Sequence, residues 1–193
     1  MTRSILRSVA LASLVLAIGL TSGVRADGKA LLRLHAFAVD LNAPSARTGT
    51  VDIVIERWST PAEVARLRDI LAEKGSDALL SALQDIKPRA GYISTGSSIG
   101  WDIRFAQQLT ASDSGRRIIV ATDRPMSFWE AANRPRSAEY AFMLAEIRIR
   151  PDGTGEGKLV PAAQIGFNKE TNTLEIENYS NQPVRLTEVR VEK

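Results

Sequence analysis

Residues 140–167 read YAFMLAEIRIRPDGTGEGKLVPAAQIGF, and they carry the clearest strand pattern of the chain. Residues 140–150 are predicted to form a strand, and the alternation of apolar and polar residues toward its end is the period of a strand with one buried face. The residues on that apolar face are Met143, Ala145, Ile147 and Ile149. Residues 151–153, PDG, are typical of a tight turn. A second apolar run over residues 159–167 follows, so the stretch predicts two strands joined as a hairpin.

Short strands of this kind extend over most of the chain. Trp101, Ile103 and Phe105 are separated by charged residues, which predicts that the three apolar side chains share one face. Residues 42–49, with a proline and several small residues, predict a loop. The predicted strands cover residues 31–39, 51–56, 92–95, 101–105, 117–122, 140–150, 159–167, 174–179 and 184–191. About nine strands at short spacing indicate an antiparallel sandwich or barrel.

A helical pair interrupts the strands between residues 60 and 88. Residues 60–63 read TPAE, a capping box in which Thr60 and Glu63 each accept the other residue's backbone N–H. Gly75 is a good helix stop, and Ser76 is expected to cap the second helix. The two apolar stripes are Val64, Leu67 and Leu71, and then Leu79, Leu80, Leu83 and Ile86. We therefore predict an α+β fold, mainly an antiparallel β-sandwich or barrel of about nine strands with an inserted two-helix hairpin.

The first 26 residues have the layout of a secretory signal peptide. Two arginines precede an apolar run over residues 8–20, and Val24 and Ala26 place small residues at the two cleavage positions. The apolar run is shorter than the ~20 residues of a membrane-spanning helix. Residues 27–193 are then predicted to form a single β-rich domain, periplasmic or secreted, with no membrane span.

Composition argues against several kinds of chemistry. Cleavage after Ala26 removes three basic residues and no acidic residue, which leaves 22 of each and a net charge of zero. A neutral domain gives no support for nucleic-acid binding. Cysteine is absent, which excludes thiol catalysis and cysteine-ligated metals. His35 is the one histidine, so sites built from two or three histidines are excluded as well. We predict no metal and no cofactor.

Two short motifs resemble catalytic or phosphate-binding loops. Residues 96–100, GSSIG, match the letters of the nucleophile elbow, with Ser98 as nucleophile. That elbow requires a helix after the serine, whereas a strand is predicted there, so a hairpin turn is the favoured interpretation. A hydrolase that uses Ser98 with His35, or a pair of carboxylates, remains an alternative. Residues 153–158, GTGEGK, lack the spacing of a phosphate-binding loop and are predicted to be a turn.

The longest connection predicted in the second half of the chain lies within residues 121–142, ATDRPMSFWEAANRPRSAEYAF. Long connections are often binding loops, and arginine and tryptophan are typical of recognition surfaces. The candidate ligand-binding residues are Arg124, Trp129, Glu130, Arg134 and Arg136. Phe128 and Trp129 are predicted to cover one open end of the β-fold, because aromatic side chains fill a large apolar volume. A plug can also form one wall of a pocket, so the two readings are compatible.

Several stretches resemble a group of exported bacterial proteins of unknown function. They are VDIVIERWST, DALLSALQDI, RRIIVATDRP, FWEAANRPR and NYSNQPVRLTEVR. The run FWEAANRPR is the most specific of them. The resemblance implies bacterial export, and it implies no reaction, ligand or catalytic residue.

The function favoured by subtraction is non-catalytic binding of a small ligand or a protein partner by an exported soluble protein. The alternatives are a secreted hydrolase and a structural protein of the cell envelope. A deep apolar pocket would favour ligand binding, whereas a pocket with converging acids would favour the hydrolase.

Overall fold

The computed structural model describes residues 30–42, 46–96, 98, 100–111, 114–126, 139–180 and 182–192. The predicted signal peptide, residues 1–26, lies outside these ranges. Nine strands and two helices lie within them, which agrees with the predicted number of each. In chain order these are β1 (Leu32–Asp40), β2 (Arg47–Ile55), α1 (Pro61–Lys74), α2 (Ser76–Gln84), β3 (Gly91–Thr95), β4 (Trp101–Thr110), β5 (Arg116–Thr122), β6 (Phe142–Ile149), β7 (Thr154–Asn168), β8 (Thr173–Asn178) and β9 (Val184–Glu192).

Eight of the strands close into an antiparallel barrel. Strands β1 to β7 pair in chain order, and β9 pairs with β7 on one side and with β1 on the other. The β9–β1 pairing closes the ring, which removes the free edges that an open sheet would expose. Strand β8 pairs with the second half of β7, from Ala163 to Asn168, and is the ninth strand. Of the two predicted β-architectures, the barrel is the one present.

The barrel interior is filled with apolar side chains. The alternating face predicted for β6 points inward, and its four residues are all buried. Strand β1 contributes a second such face with Leu32, Leu34, Ala36 and Ala38. An eight-stranded barrel is just wide enough for side chains to fill its interior, so these residues form a packed core.

A β-bulge in β4 reverses one predicted face. Ile103 belongs to the interior core, but Phe105 belongs to a second apolar cluster outside the barrel. The prediction that the two residues share a face is therefore wrong. The register between β4 and β5 shifts between Ile103 and Phe105, and the additional residue in β4 turns Phe105 outward.

The predicted capping box and the helix stop are confirmed. The Thr60 hydroxyl and the Glu63 carboxylate make both reciprocal hydrogen bonds, and Gly75 ends α1 with a φ of 82°. The expectation that Ser76 caps α2 is wrong, because Ser76 is the first residue of that helix and Gly75 is its N-cap. Gly75 is therefore both the C-cap of α1 and the N-cap of α2, and no other residue separates the two helices. Neither helix in the described part of the chain is long and apolar enough to span a membrane.

The helical hairpin packs against the outside of the barrel. Leu67 and Leu71 of α1 and Leu83 of α2 are buried against Phe142 of β6 and Ala163 of β7. This outer cluster is separate from the barrel interior, so the described residues form two apolar cores. The hairpin thereby covers part of the outer wall of β4, β6 and β7.

Two regions predicted as turn or loop are partly strand. Of residues 153–158, only the first belongs to the turn, because β7 begins at Thr154. An added Cβ at Gly155 would lie 2.2 Å from the carbonyl oxygen of Arg148, so glycine permits β7 to approach β6 at this point. Residues 47–49, predicted as loop, belong to β2 because they pair with the end of β1.

Candidate functional site

An apolar groove of about 510 Å³ lies on the outer surface of the barrel. Its floor is formed by the outer face of β4, β5, β6 and β7, its helical wall by α1 and α2, and its opposite wall in part by β8. The volume falls within the range of ~300–1,000 Å³ that is usual for small-molecule sites.

Strand register places the floor residues side by side. Phe105 lies opposite Ala121 in the β4–β5 pair. Leu144 of β6 lies opposite Ala121, and Val160 of β7 lies opposite Leu144. The four side chains form an apolar row across four neighbouring strands. The outer face of an antiparallel sheet normally carries polar side chains where it faces water, so this apolar row is unusual for an outer face. The helical hairpin covers part of this face, and the remainder lines the groove.

The two walls differ in exposure. Leu67, Leu71 and Leu83 of the helical wall are buried, whereas Leu174 and Ile176 of β8 are 53% and 51% exposed. Single exposed apolar residues are normal, but these two continue an apolar surface that runs into the groove. A ligand seated there would remove both side chains from water.

Four polar residues border the groove, namely Arg68, Gln107, Glu146 and Lys158. Two of the charged ones are paired: Arg68 lies 3.1 Å from Asp69, and Glu146 lies 3.4 Å from Arg148. The Lys158 ammonium makes no hydrogen bond or ion pair with any other described residue. It lies in β7 directly opposite Glu146, and both residues stand at one edge of the apolar floor.

Only one of the five predicted ligand-binding residues lies in the described part of the chain. Arg124 is exposed, and its guanidinium donates to the carbonyl oxygen of Gly100 at 3.0 Å. It does not line the groove. Trp129, Glu130, Arg134 and Arg136 lie outside the described residues, as does Phe128.

The structure gives Ser98 and His35 separate hydrogen-bond partners. The backbone N–H of Thr95 donates to Ser98 Oγ at 3.0 Å within the connection between β3 and β4. The Nδ1 atom of His35 lies 2.6 Å from an oxygen of Asp52. No hydrogen bond joins the serine to the histidine among the residues described. A strand follows Ser98, so its connection is a hairpin rather than a strand-to-helix elbow.

Asp102 of β4 and Asp123, which follows β5, belong to a network of ion pairs with arginines. Arg89 forms a two-pronged pair with Glu56 at 2.9 Å for each prong and donates to Asp102 at 2.8 Å. The Nε atom of Arg104 donates to Asp123 at 3.0 Å. Hydrogen bonding to the Glu56 carboxylate raises the pKa of Arg89 above its usual value. The network fastens the connection between α2 and β3 to the barrel, and each of these acids is already engaged by an arginine.

A second polar cluster lies on the wall formed by β9, β1 and β2. His35 of β1 lies opposite Asp52 of β2, and Glu192 of β9 lies one step along the same wall, opposite Arg33. One potential ligand atom from each of the three residues lies within 4.8 Å of the others. The histidine and Asp52 are half-buried, and Glu192 is exposed.

The sequence predicted neither the groove nor the position of Asp52 and Glu192 beside His35. Alternation alone predicts that His35 is on one face of β1, but Asp52 and Glu192 come from strands whose register is set by the whole barrel. For the groove, one local signal was present. Leu174 and Ile176 alternate with polar residues on a strand at the edge of the sheet, which indicates an apolar face without a strand to cover it.

Comparison of the chain with models of known protein families, with curated protein sequences and with solved structures finds no match. Function must then be argued from the site, because a barrel fold by itself supports many unrelated activities. The apolar groove and the His35 cluster are the two features of the described chain that invite such an argument.

Proposed function

We propose that the protein binds a small amphipathic carboxylate, such as a medium-chain fatty acid, without transforming it. The observation that carries this proposal is the apolar groove with Lys158 at its edge, a lysine that has no ion-pair partner among the described residues. The apolar tail lies along the row of Phe105, Ala121, Leu144 and Val160. The carboxylate lies at the Lys158 ammonium.

The driving force for the tail is the removal of apolar surface from water. Leu174 and Ile176 expose about half of their surface at the groove. Burial of apolar surface contributes about 25 cal/mol per Å², so covering these side chains together with the tail favours binding.

Charge decides the chemistry of the head group. Arg68 is ion-paired with Asp69 and Glu146 with Arg148, which leaves Lys158 as the groove cation without an ion-pair partner among the described residues. A carboxylate head group accepts charge-assisted hydrogen bonds from the Lys158 ammonium. A quaternary ammonium head group has the same charge as Lys158 and is repelled by it. The proposal therefore requires preference for an anionic head over a cationic one.

Displacement of 1-anilinonaphthalene-8-sulfonate tests the groove. The fluorescent probe is bound to the full mature chain and then competed with decanoate or with decyltrimethylammonium, each below its micelle concentration. We expect decanoate to displace the probe much more effectively. Failure of both compounds to bind or displace the probe overturns the small-ligand proposal and makes a protein segment the favoured occupant.

Variants locate the binding. Lys158→Gln is expected to weaken decanoate binding by about tenfold, which corresponds to about 1.4 kcal/mol. Lys169→Gln is the matched control, because Lys169 is an exposed lysine in the β7–β8 turn that does not line the groove. Ala121→Phe fills the floor, and Leu174→Ser removes apolar lining at a position that is 53% exposed. If both bind decanoate like the parent chain, the groove is not the site.

We also propose that the chain is exported and processed after Ala26. The support is the order of basic, apolar and small residues over residues 1–26. Intact-mass measurement of the protein from its native host tests this proposal. A soluble cytoplasmic product that retains residues 1–26 would contradict it.

A further inference from the structure

We propose that His35, Asp52 and Glu192 bind a divalent transition-metal ion, with Zn²⁺ as the best match. The cluster lies on the outer wall of β9, β1 and β2, whereas the groove floor belongs to β4–β7. The inference is therefore independent of the proposed carboxylate binding.

The distances suit one ion. The three potential ligand atoms all lie within 4.8 Å of one another. Two atoms that each bind Zn²⁺ at ~2.0–2.2 Å can be at most ~4.4 Å apart, so small side-chain rotations suffice. The His35–Asp52 contact of 2.6 Å is a hydrogen bond that must open slightly to admit the ion between them.

The donor set selects the class of metal. One imidazole nitrogen with two carboxylate oxygens suits zinc and neighbouring first-row metals, whereas Mg²⁺ and Ca²⁺ prefer oxygen ligands throughout. Three protein ligands fill only part of a coordination sphere, so water completes it.

The barrel holds the donors in place before the ion binds. His35 and Asp52 are direct cross-strand partners, and β9 is hydrogen-bonded to the other side of β1. Two guanidiniums share the wall: Arg190 lies opposite His35 and within 3.9 Å of Glu188, and Arg33 lies opposite Glu192. Their positive charge opposes a cation, so the expected binding is weaker than that of a buried structural zinc site.

The composition of the chain makes the test unusually specific. His35 is the only histidine, so any imidazole-ligated metal must involve His35, and thiolate ligation is excluded because there is no cysteine. The full mature chain, produced without a histidine tag, is titrated with Zn²⁺ while the proton NMR signals of the single imidazole are followed. We expect those signals to shift and the melting temperature to rise with Zn²⁺ concentration. Mg²⁺ at the same concentrations is expected to change neither.

Variants separate the site from nonspecific surface binding. Mutation of a residue that only hydrogen-bonds to a metal ligand weakens metal binding by ~10–100-fold. Loss of a ligand itself should cost at least as much, so His35→Gln and Glu192→Gln are each expected to weaken Zn²⁺ binding by at least ~10-fold. Glu73→Gln, which changes an exposed carboxylate on α1 away from this wall, is the control and should bind like the parent chain. The proposal is overturned if the imidazole signals do not respond to Zn²⁺, if Mg²⁺ acts equally, or if the two ligand variants bind unchanged.

Discussion

The Glu63 carboxylate accepts the backbone N–H of Thr60 at 2.8 Å, and the Thr60 hydroxyl accepts the backbone N–H of Glu63 at 3.2 Å. The same carboxylate also accepts hydrogen bonds from both terminal nitrogens of Arg57, at 2.9 and 3.1 Å. One residue thus fixes the start of α1 and ties it to the chain that leaves β2. The helix that begins at this junction forms part of the helical wall of the groove.

Loss of the Thr60 cap should destabilise the protein. Thr60→Ala removes the acceptor for the Glu63 N–H, which is expected to cost about 1 kcal/mol of unfolding free energy. Thr60→Ser keeps the hydroxyl and is the control. Urea unfolding followed by circular dichroism measures the difference. Equal stability of the alanine variant and the parent would show that water satisfies the helix end.

The Arg57–Glu63 pair should make stability depend on pH. Hydrogen bonds from Arg57 hold the pKa of Glu63 below its ordinary value of 4.5, more than offsetting the effect of burial. A carboxyl with a lowered pKa in the folded state stabilises that state above its unfolded pKa, and the contribution is lost as the pH falls through the folded pKa. Glu63→Gln should therefore be less stable than the parent at pH 7, and the difference should shrink below about pH 4.5. A difference that stays constant down to pH 2 would contradict this cause.

Local signals predicted the elements more accurately than their arrangement. The capping box at Thr60 and the alternation of β6 depend on residues within a few positions of one another, so the sequence displays them directly. Phe105 was assigned to the wrong face because a bulge is a relation between two strands. Gly155 was assigned to a turn because its close approach to Arg148 appears only once β6 and β7 are paired.

The candidate site was harder to predict for the same reason. The floor of the groove joins residues of four strands, and the His35 cluster joins three. Strand register is set by closure of the whole barrel, and one sequence does not reveal it. Arginine and tryptophan in the connection after β5 drew the prediction toward residue types typical of binding, and Arg124 lies away from the groove lining.

The helical hairpin is predicted to be part of the stable core. Leu83 is 2% exposed in the outer cluster, and Leu83→Ala is expected to cost about 2–5 kcal/mol. Leu174→Ala is the control, because the same truncation at a residue 53% exposed is expected to cost about 0.5 kcal/mol or less. Thermal and urea unfolding measure both. If the two variants melt alike, the hairpin is peripheral to the barrel's stability.

The two glycines Gly155 and Gly49 should respond oppositely to the same substitution. An added Cβ at Gly155 would lie 2.2 Å from the carbonyl oxygen of Arg148, and a backbone oxygen cannot turn aside as a flexible side chain can. Gly155→Ala must push β7 away from β6 and is expected to cost about 1–3 kcal/mol or more.

At Gly49 the added atom meets nothing within 4 Å. The residue lies in β2, so alanine there restricts the unfolded chain and is expected to stabilise the protein by about 0.4–1 kcal/mol. Unfolding free energies of the two variants under one set of conditions decide the question. A Gly155→Ala variant as stable as the parent would mean that β6 and β7 are not packed as closely as their register implies, and the row of floor residues that depends on the same strand pair would lose its support.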